Sequence, residues 1–163
     1  NQCFRLYSYT LRQVMTPCLL YKYGGYVALT AAWQTPEKFQ CAASFAGISD
    51  LPALVKKQRL FDFGEISIAR IAKSLEDFDS IQNMSAIFHI DKIKIPLLLA
   101  HGDEDRVIPI QQSRALAEQM QNHQTAYEYI EQAGGDHYLS LESHRIVFFE
   151  ALGRFLKGYL QHQ

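Results

Sequence analysis

A six-residue apolar run, Ile95-Pro96-Leu97-Leu98-Leu99-Ala100, constrains this chain more than any other stretch. It shows no alternation of apolar and polar residues, which is the pattern of a parallel strand covered on both faces. His101 and Gly102 close the run, and the acids Asp103, Glu104 and Asp105 crowd the point where the strand would end. Pro109 then hands over to Gln111–Met120, a run of good helix formers. In open α/β sheets, ligands and catalytic groups collect at the carboxyl ends of strands. A carboxylate loop at such a point suggests a partner for a histidine further on. The preference of a helix N-terminus for acids through its dipole explains the same residues equally well. On this loop alone, the two origins stay level.

The remaining pattern supplies the layers around that strand. In residues 1–16, Phe4, Tyr7, Leu11 and Val14 fall at helical spacing, whereas Tyr7, Tyr9 and Thr10 favour strand, and both options stay open. Cys18–Tyr21 is apolar but short, a strand at most. From Tyr23 onward the text is clearer. Gly24-Gly25-Tyr26 leads into Val27–Trp33, small and apolar on every side, a buried helix. Cys41–Ala46 reads as a second buried strand ended by Gly47, so strand, helix and strand form a parallel βαβ unit.

Residues 49–93 carry amphipathic stretches around Leu51–Lys57, Ile66–Leu75 and Asp79–Phe88 and no strand, a helical excursion on one side of the sheet. Thr125–Ile130 is the last strand, and its alternation of Tyr127 and Tyr129 with Glu128 and Glu131 predicts a partly exposed edge. A loop, Gly134-Gly135-Asp136-His137, precedes a long amphipathic helix with Ile146, Phe149, Leu152, Phe155, Leu156 and Tyr159 on its apolar face. The expected fold class is α/β, a parallel sheet flanked by helices with a helical insertion.

Composition removes several functional classes. The chain has 163 residues, 48% of them hydrophobic, and a net charge of -1 from 16 basic and 17 acidic side chains. That balance argues against nucleic acid or an anionic membrane surface as a partner. No apolar run approaches the roughly 20 residues that span a bilayer. Cys3, Cys18 and Cys41 show no metal-ligand spacing, and their odd count gives no disulfide framework, so neither a metal nor a cofactor is expected. The start lacks the charged and apolar regions of a signal peptide, which favours the cytoplasm, while opening on Asn leaves the natural start undetermined.

Three strand ends therefore carry Gly24-Gly25, Asp105 and His137, in that order. A Ser-His-Asp hydrolase on an open α/β sheet delivers nucleophile, acid and histidine in this chain order. Taken singly, His137 reads as a surface-loop histidine and the two glycines as packing residues. Taken together, the stretches resemble the carboxyl-terminal half of the catalytic domain of the prolyl oligopeptidase family, serine peptidases with the α/β-hydrolase fold. Tyr23-Gly24-Gly25-Tyr26 is similar to the second half of that family's Gly-x-Ser-x-Gly-Gly elbow. Ala46-Gly47-Ile48-Ser49-Asp50-Leu51 resembles its next strand and loop. The segment from His101 to Pro109 resembles its His-Gly-x-x-Asp-x-x-Val-Pro stretch, which implies Asp105 rather than Asp103 as the triad acid. Gly135-Asp136-His137 falls where the triad histidine lies. The resemblance runs from Tyr23 to about Leu160, so residues 1–22 stand as an unmatched segment before a catalytic-domain part at 23–163.

The departure from the family is as informative. Lys22 occupies the nucleophile position, and Leu20 stands where the elbow has its first Gly. A lysine amine is protonated near its reference pKa of about 10.4, and its acyl adduct would be a stable amide. Lys22 is therefore expected to have no catalytic job. Ser44 and Ser49 are the nearby hydroxyls, and neither has a Gly-flanked elbow. His101 and His89 are expected to be structural, His101 closing the strand beneath the acid loop. The resemblance implies a peptide substrate and acyl transfer, with His137 as general base and Asp105 as its orienting partner. Because of Lys22, the expectation for the chain alone is inactivity. A non-catalytic remnant or interaction module and an esterase on the same fold are the rivals. Unpaired sheet edges would favour self-association. The abrupt loss of pattern upstream of Tyr23 fits a single event, such as a frameshift or rearrangement.

Overall fold

The computed structural model describes residues 16–21, 23–58 and 78–160. Four strands, β1 (Thr16–Tyr21), β2 (Phe39–Phe45), β3 (Leu97–Gly102) and β4 (Tyr127–Gln132), lie in the order β1-β2-β3-β4. Every pairing is parallel. The helices are α1 (Tyr23–Gln34), α2 (Leu51–Gln58), α3 (Phe78–Asn83), α4 (Gln111–Asn122) and α5 (Glu142–Leu160).

The unbroken apolar run works because β3 is covered twice. Leu97 and Leu99 pack with Ala28, Leu29 and Ala32 of α1 and with Leu116 and Met120 of α4. Leu98 and Ala100 point the other way and pack with Phe148, Leu152 and Phe155 of α5. Successive strand residues face opposite sides of the sheet, so both registers of β3 must be apolar. Burial on this scale is worth about 25 cal/mol for each Å² of apolar surface removed from water. At the other edge of that pair, Glu128 and Glu131 of β4 are exposed while Tyr127 and Tyr129 are half-buried, as the alternation predicts.

Three expectations change. Cys18–Tyr21 belongs to a full strand: β1 pairs with β2 from Thr16 to Tyr21, so the sheet begins inside the segment set apart by the motif match. The predicted helix Asp79–Phe88 breaks instead at Ser85. The fully buried Ser85 hydroxyl donates to Ile81 O (2.7 Å) and accepts from Leu51 N (3.0 Å), and a 3-10 segment, Ala86–Lys92, follows. On α5 the buried residues are Phe148, Ala151, Leu152 and Phe155, whereas Ile146, Phe149 and Tyr159 are 51%, 57% and 40% exposed. This helix carries two adjoining apolar stripes of equal period, and docking on the sheet selects one of them. The predicted helix Ile66–Leu75 and the two options for residues 1–15 lie outside the described residues.

Candidate active site

All four strands are parallel, so the turn after β1 and the loops after β2, β3 and β4 share one edge of the sheet. On the β1 side, the strand ends at Tyr21 and α1 opens at Tyr23, a passage from strand to helix within one residue. Such a turn lets a helix start close against its strand, and the glycines make the approach feasible. A Cβ on Gly25 would lie 2.8 Å from Gly47 Cα, 2.8 Å from Ser44 Oγ and 3.0 Å from Phe45 O. Gly24 lies beside it in the first turn of α1. Lys22 itself lies outside the described residues.

The β3 and β4 loops are drawn together by a second close approach. A Cβ on Gly102 would fall 2.2 Å from Gly135 O, so the backbone of the histidine loop occupies the space a side chain would need. Glu104 N donates to Gly135 O (2.9 Å) and Asp103 N to Gln132 O (3.1 Å). The Asp103 carboxylate accepts from Gly134 N at 2.6 Å, where Gly134 adopts a φ of +71°. Asp103 thus ties the loops to each other. Beyond the histidine, Asp136 accepts from the backbone of Tyr138 and Ser140, both at 3.0 Å. Arg145 of α5 donates to Leu139 O and Ser140 O, both at 2.8 Å.

Within this frame His137 Nδ1 lies 2.7 Å from Asp105 Oδ2. Both residues are buried, at 6% and 9% exposure. The other carboxylate oxygen, Oδ1, accepts from Val107 N and Ile108 N, each at 2.8 Å. His101 Nε2, which donates to Ile108 O (3.0 Å), lies 3.2 Å from Oδ2. Burial pushes the Asp105 carboxyl up, but the nearby His101 ring and the hydrogen bonds from His137, Ile108 and Val107 more than offset it and hold the group well below the ordinary carboxylate range. A carboxylate facing Nδ1 requires the proton there, which makes Nε2 the acceptor nitrogen of the His137 ring. This is the arrangement in which an imidazole takes a proton at Nε2 while a buried acid stabilises the imidazolium.

The two serines nearest the expected elbow are committed elsewhere. Ser44 Oγ donates to Gly25 O (3.2 Å) and Ser49 Oγ to Gln112 O (2.6 Å). His89 stacks on Trp33 with ring centroids 3.9 Å apart. Sequence reasoning missed Gln112, whose buried amide accepts from Ser49 N (2.9 Å) and Asp50 N (2.7 Å) and donates to Asp50 O (2.9 Å). It pins the loop after β2 to the start of α4. A glutamine in the first turn of an exposed-looking helix carries no local signal of that bridge.

Comparison with known proteins identifies the family and the fold. The sequence profile of the prolyl oligopeptidase family of peptidases matches residues 22–163. An acylamino-acid-releasing enzyme of Arabidopsis thaliana is 34% identical over 109 residues, covering 59% of this chain and 14% of that protein. A dipeptidyl peptidase family member 6 of Caenorhabditis elegans is 30% identical over 88 residues, 51% of this chain and 12% of that one. Among solved structures, a puromycin-hydrolysing peptidase of Mycobacterium tuberculosis superposes with a TM-score of 0.82 at 26% identity, over 90% of this chain and 22% of its own. An acylaminoacyl peptidase of Pyrococcus horikoshii shares the fold with a TM-score of 0.80 at 23% identity, over 99% of this chain and 26% of its own. The chain thus spans about a seventh of its curated relatives and a quarter of its structural ones. Among the described residues no helix is long and apolar enough to cross a membrane. With a profile match over most of its length and the fold of these enzymes in its sheet, this chain belongs to the prolyl oligopeptidase family of serine peptidases.

Proposed function

We propose that Asp105 and His137 are the acid and the general base of an acyl-transfer site for peptide bonds, and that this chain does not complete the reaction by itself. The observation carrying the first half is the buried 2.7 Å hydrogen bond between His137 Nδ1 and Asp105 Oδ2 at the carboxyl ends of neighbouring strands. It leaves Nε2 as the nitrogen that accepts a hydroxyl proton and later returns it to the leaving amine. Lys22 at the elbow supports the second half, because a protonated amine neither attacks a peptide carbonyl nor releases the acyl group by hydrolysis. Residues 23–163 form the catalytic-domain part in this reading, and Gly24 and Gly25 serve helix packing.

Fusing residues 23–163 behind the upstream half of the mycobacterial peptidase, its serine elbow included, tests the first half. Aminoacyl-amide turnover is expected, and His137→Ala should lower it by about 10³ or more. Unchanged turnover in His137→Ala would overturn the assignment. For the second half, the chain itself should resist labelling by a fluorophosphonate serine probe. Stoichiometric labelling, or turnover of short-chain esters, would show that a different hydroxyl serves as nucleophile.

A further inference from the structure

His101 is fully buried, sits near the end of β3, and has every ring nitrogen engaged. Its Nε2 lies 3.0 Å from Ile108 O and 3.2 Å from Asp105 Oδ2, both of them acceptors. The proton must therefore reside on Nε2. Nδ1 lies 2.7 Å from Ser113 Oγ, a hydroxyl in the first turn of α4 that is itself 5% exposed. In the neutral ring, Ser113 donates and Nδ1 accepts, which fixes the tautomer. Oδ1 of Asp105 thus accepts from Val107 N and Ile108 N, while Oδ2 bonds to His137 and lies 3.2 Å from His101 Nε2, whose proton is directed to Ile108 O.

We propose that His101, held from behind by Ser113, is a positioning residue that aims the Asp105 carboxylate at His137. The inference rests on the reading of Asp105 and His137 as acid and base. Asp105 lies in a loop three residues beyond β3, and a carboxylate on a loop turns freely about its Cβ–Cγ bond unless its oxygens are occupied. The backbone donors fix Oδ1 from within the same loop. His101 anchors Oδ2 to the rigid strand and, through Ser113, to α4. His101 also donates to Ile108 O (3.0 Å), which holds the turn that presents the Oδ1 donors. Turning the carboxylate away from His137 would then lose the close contact with the His101 ring as well, so the orientation needed by the base is the one the surroundings enforce.

Nuclear magnetic resonance of the imidazole nitrogens and their protons in the intact chain tests this at neutral pH. The wild type should show His101 as the Nε2–H tautomer and a downfield, exchange-protected Nδ1 proton on His137. His101→Phe should lose that His137 resonance or move it upfield, while His101→Gln, whose amide presents a donor near the same point, should restore it. A purely structural role for His101 would not single out that proton. Should His101→Phe fail to fold, Ser113→Ala decides the matter, because it keeps the ring but releases its tautomer; the same resonance should shift upfield. An unmoved resonance in whichever of these variants is folded overturns the role of His101, as would an Nδ1–H tautomer of His101 in the wild type. A wild-type spectrum without the downfield proton would instead defeat the Asp105–His137 pair itself.

Discussion

The two halves of the candidate site's edge of the sheet are built on different principles. At the β1–α1 turn, order comes from missing side chains: Gly25 lies against Gly47 because neither carries a Cβ, and Ser44 donates to Gly25 O across the gap. At the β3 and β4 loops, the same glycine contact recurs between Gly102 and Gly135, but a dense polar network is laid over it. Asp105 alone accepts from Val107, Ile108 and His137 and lies 3.2 Å from His101 Nε2. The difference teaches that elbow geometry is a packing property of the backbone. The acid–histidine geometry is instead a property of particular polar atoms. Backbone packing persists whatever residue occupies position 22, whereas a polar network fails when one atom is lost.

The largest expected effect comes from removing the hub of the network. Asp105→Ala leaves buried donors without their acceptor, and a chemical denaturation series should show a loss of about 3–5 kcal/mol. A loss below about 1 kcal/mol would mean that water replaces the carboxylate at little cost, and the contrast between the halves would collapse.

The same hub gives an acid dependence with a defined sign. Its folded carboxyl is held below the ordinary range, so its stabilisation is complete above the unfolded value of about 4 and drains away as pH falls from there towards the depressed folded value. Denaturation midpoints of the wild type and of Asp105→Asn should therefore converge as pH drops below about 4. A gap that widens in acid would contradict the depressed carboxyl.

On the elbow side the sensitive residue is a glycine. Gly25→Ala places a methyl 2.8 Å from the Gly47 backbone, and overpacking of this kind costs about 1–3 kcal/mol. Thermal unfolding with a midpoint equal to wild type would show that α1 can ride outward freely. The smallest effect belongs to the polar contact there: Ser44→Ala removes one long hydrogen bond, 3.2 Å, and should cost about 1 kcal/mol or less. A larger loss would place the elbow in the polar class and erase the distinction.

Much of this architecture was legible in the chain because burial on both faces leaves a one-dimensional trace. Ile95–Ala100 and Cys41–Ala46 lack alternation, and both proved to be central strands. β4 kept its alternation and lies at the end of the sheet among the described residues. β1 was harder to see, since six residues with a Pro at the second position give little periodic signal. The α5 face misled in part for the opposite reason: Ile146, Phe149 and Tyr159 extend the apolar face as well as Phe148 and Ala151 do, while Leu152 and Phe155 are buried as read. At the site, Asp105 and His137 were singled out by motif and order, and the structure sets them in contact.

By itself, the sequence determined the order of strands and helices, the parallel sheet, and the placing of an acid and a histidine at strand ends. Those features follow from local pattern and from the short list of ways a βαβ chain can run. Tertiary structure alone decided which stripe of α5 faces the sheet. It also decided that Gln112 bridges to the loop after β2, and that His101 and Ser113 close on Asp105. Each of these joins residues whose neighbours in space are distant in the chain, and no local periodicity encodes which buried hydrogen-bonding atom will meet which.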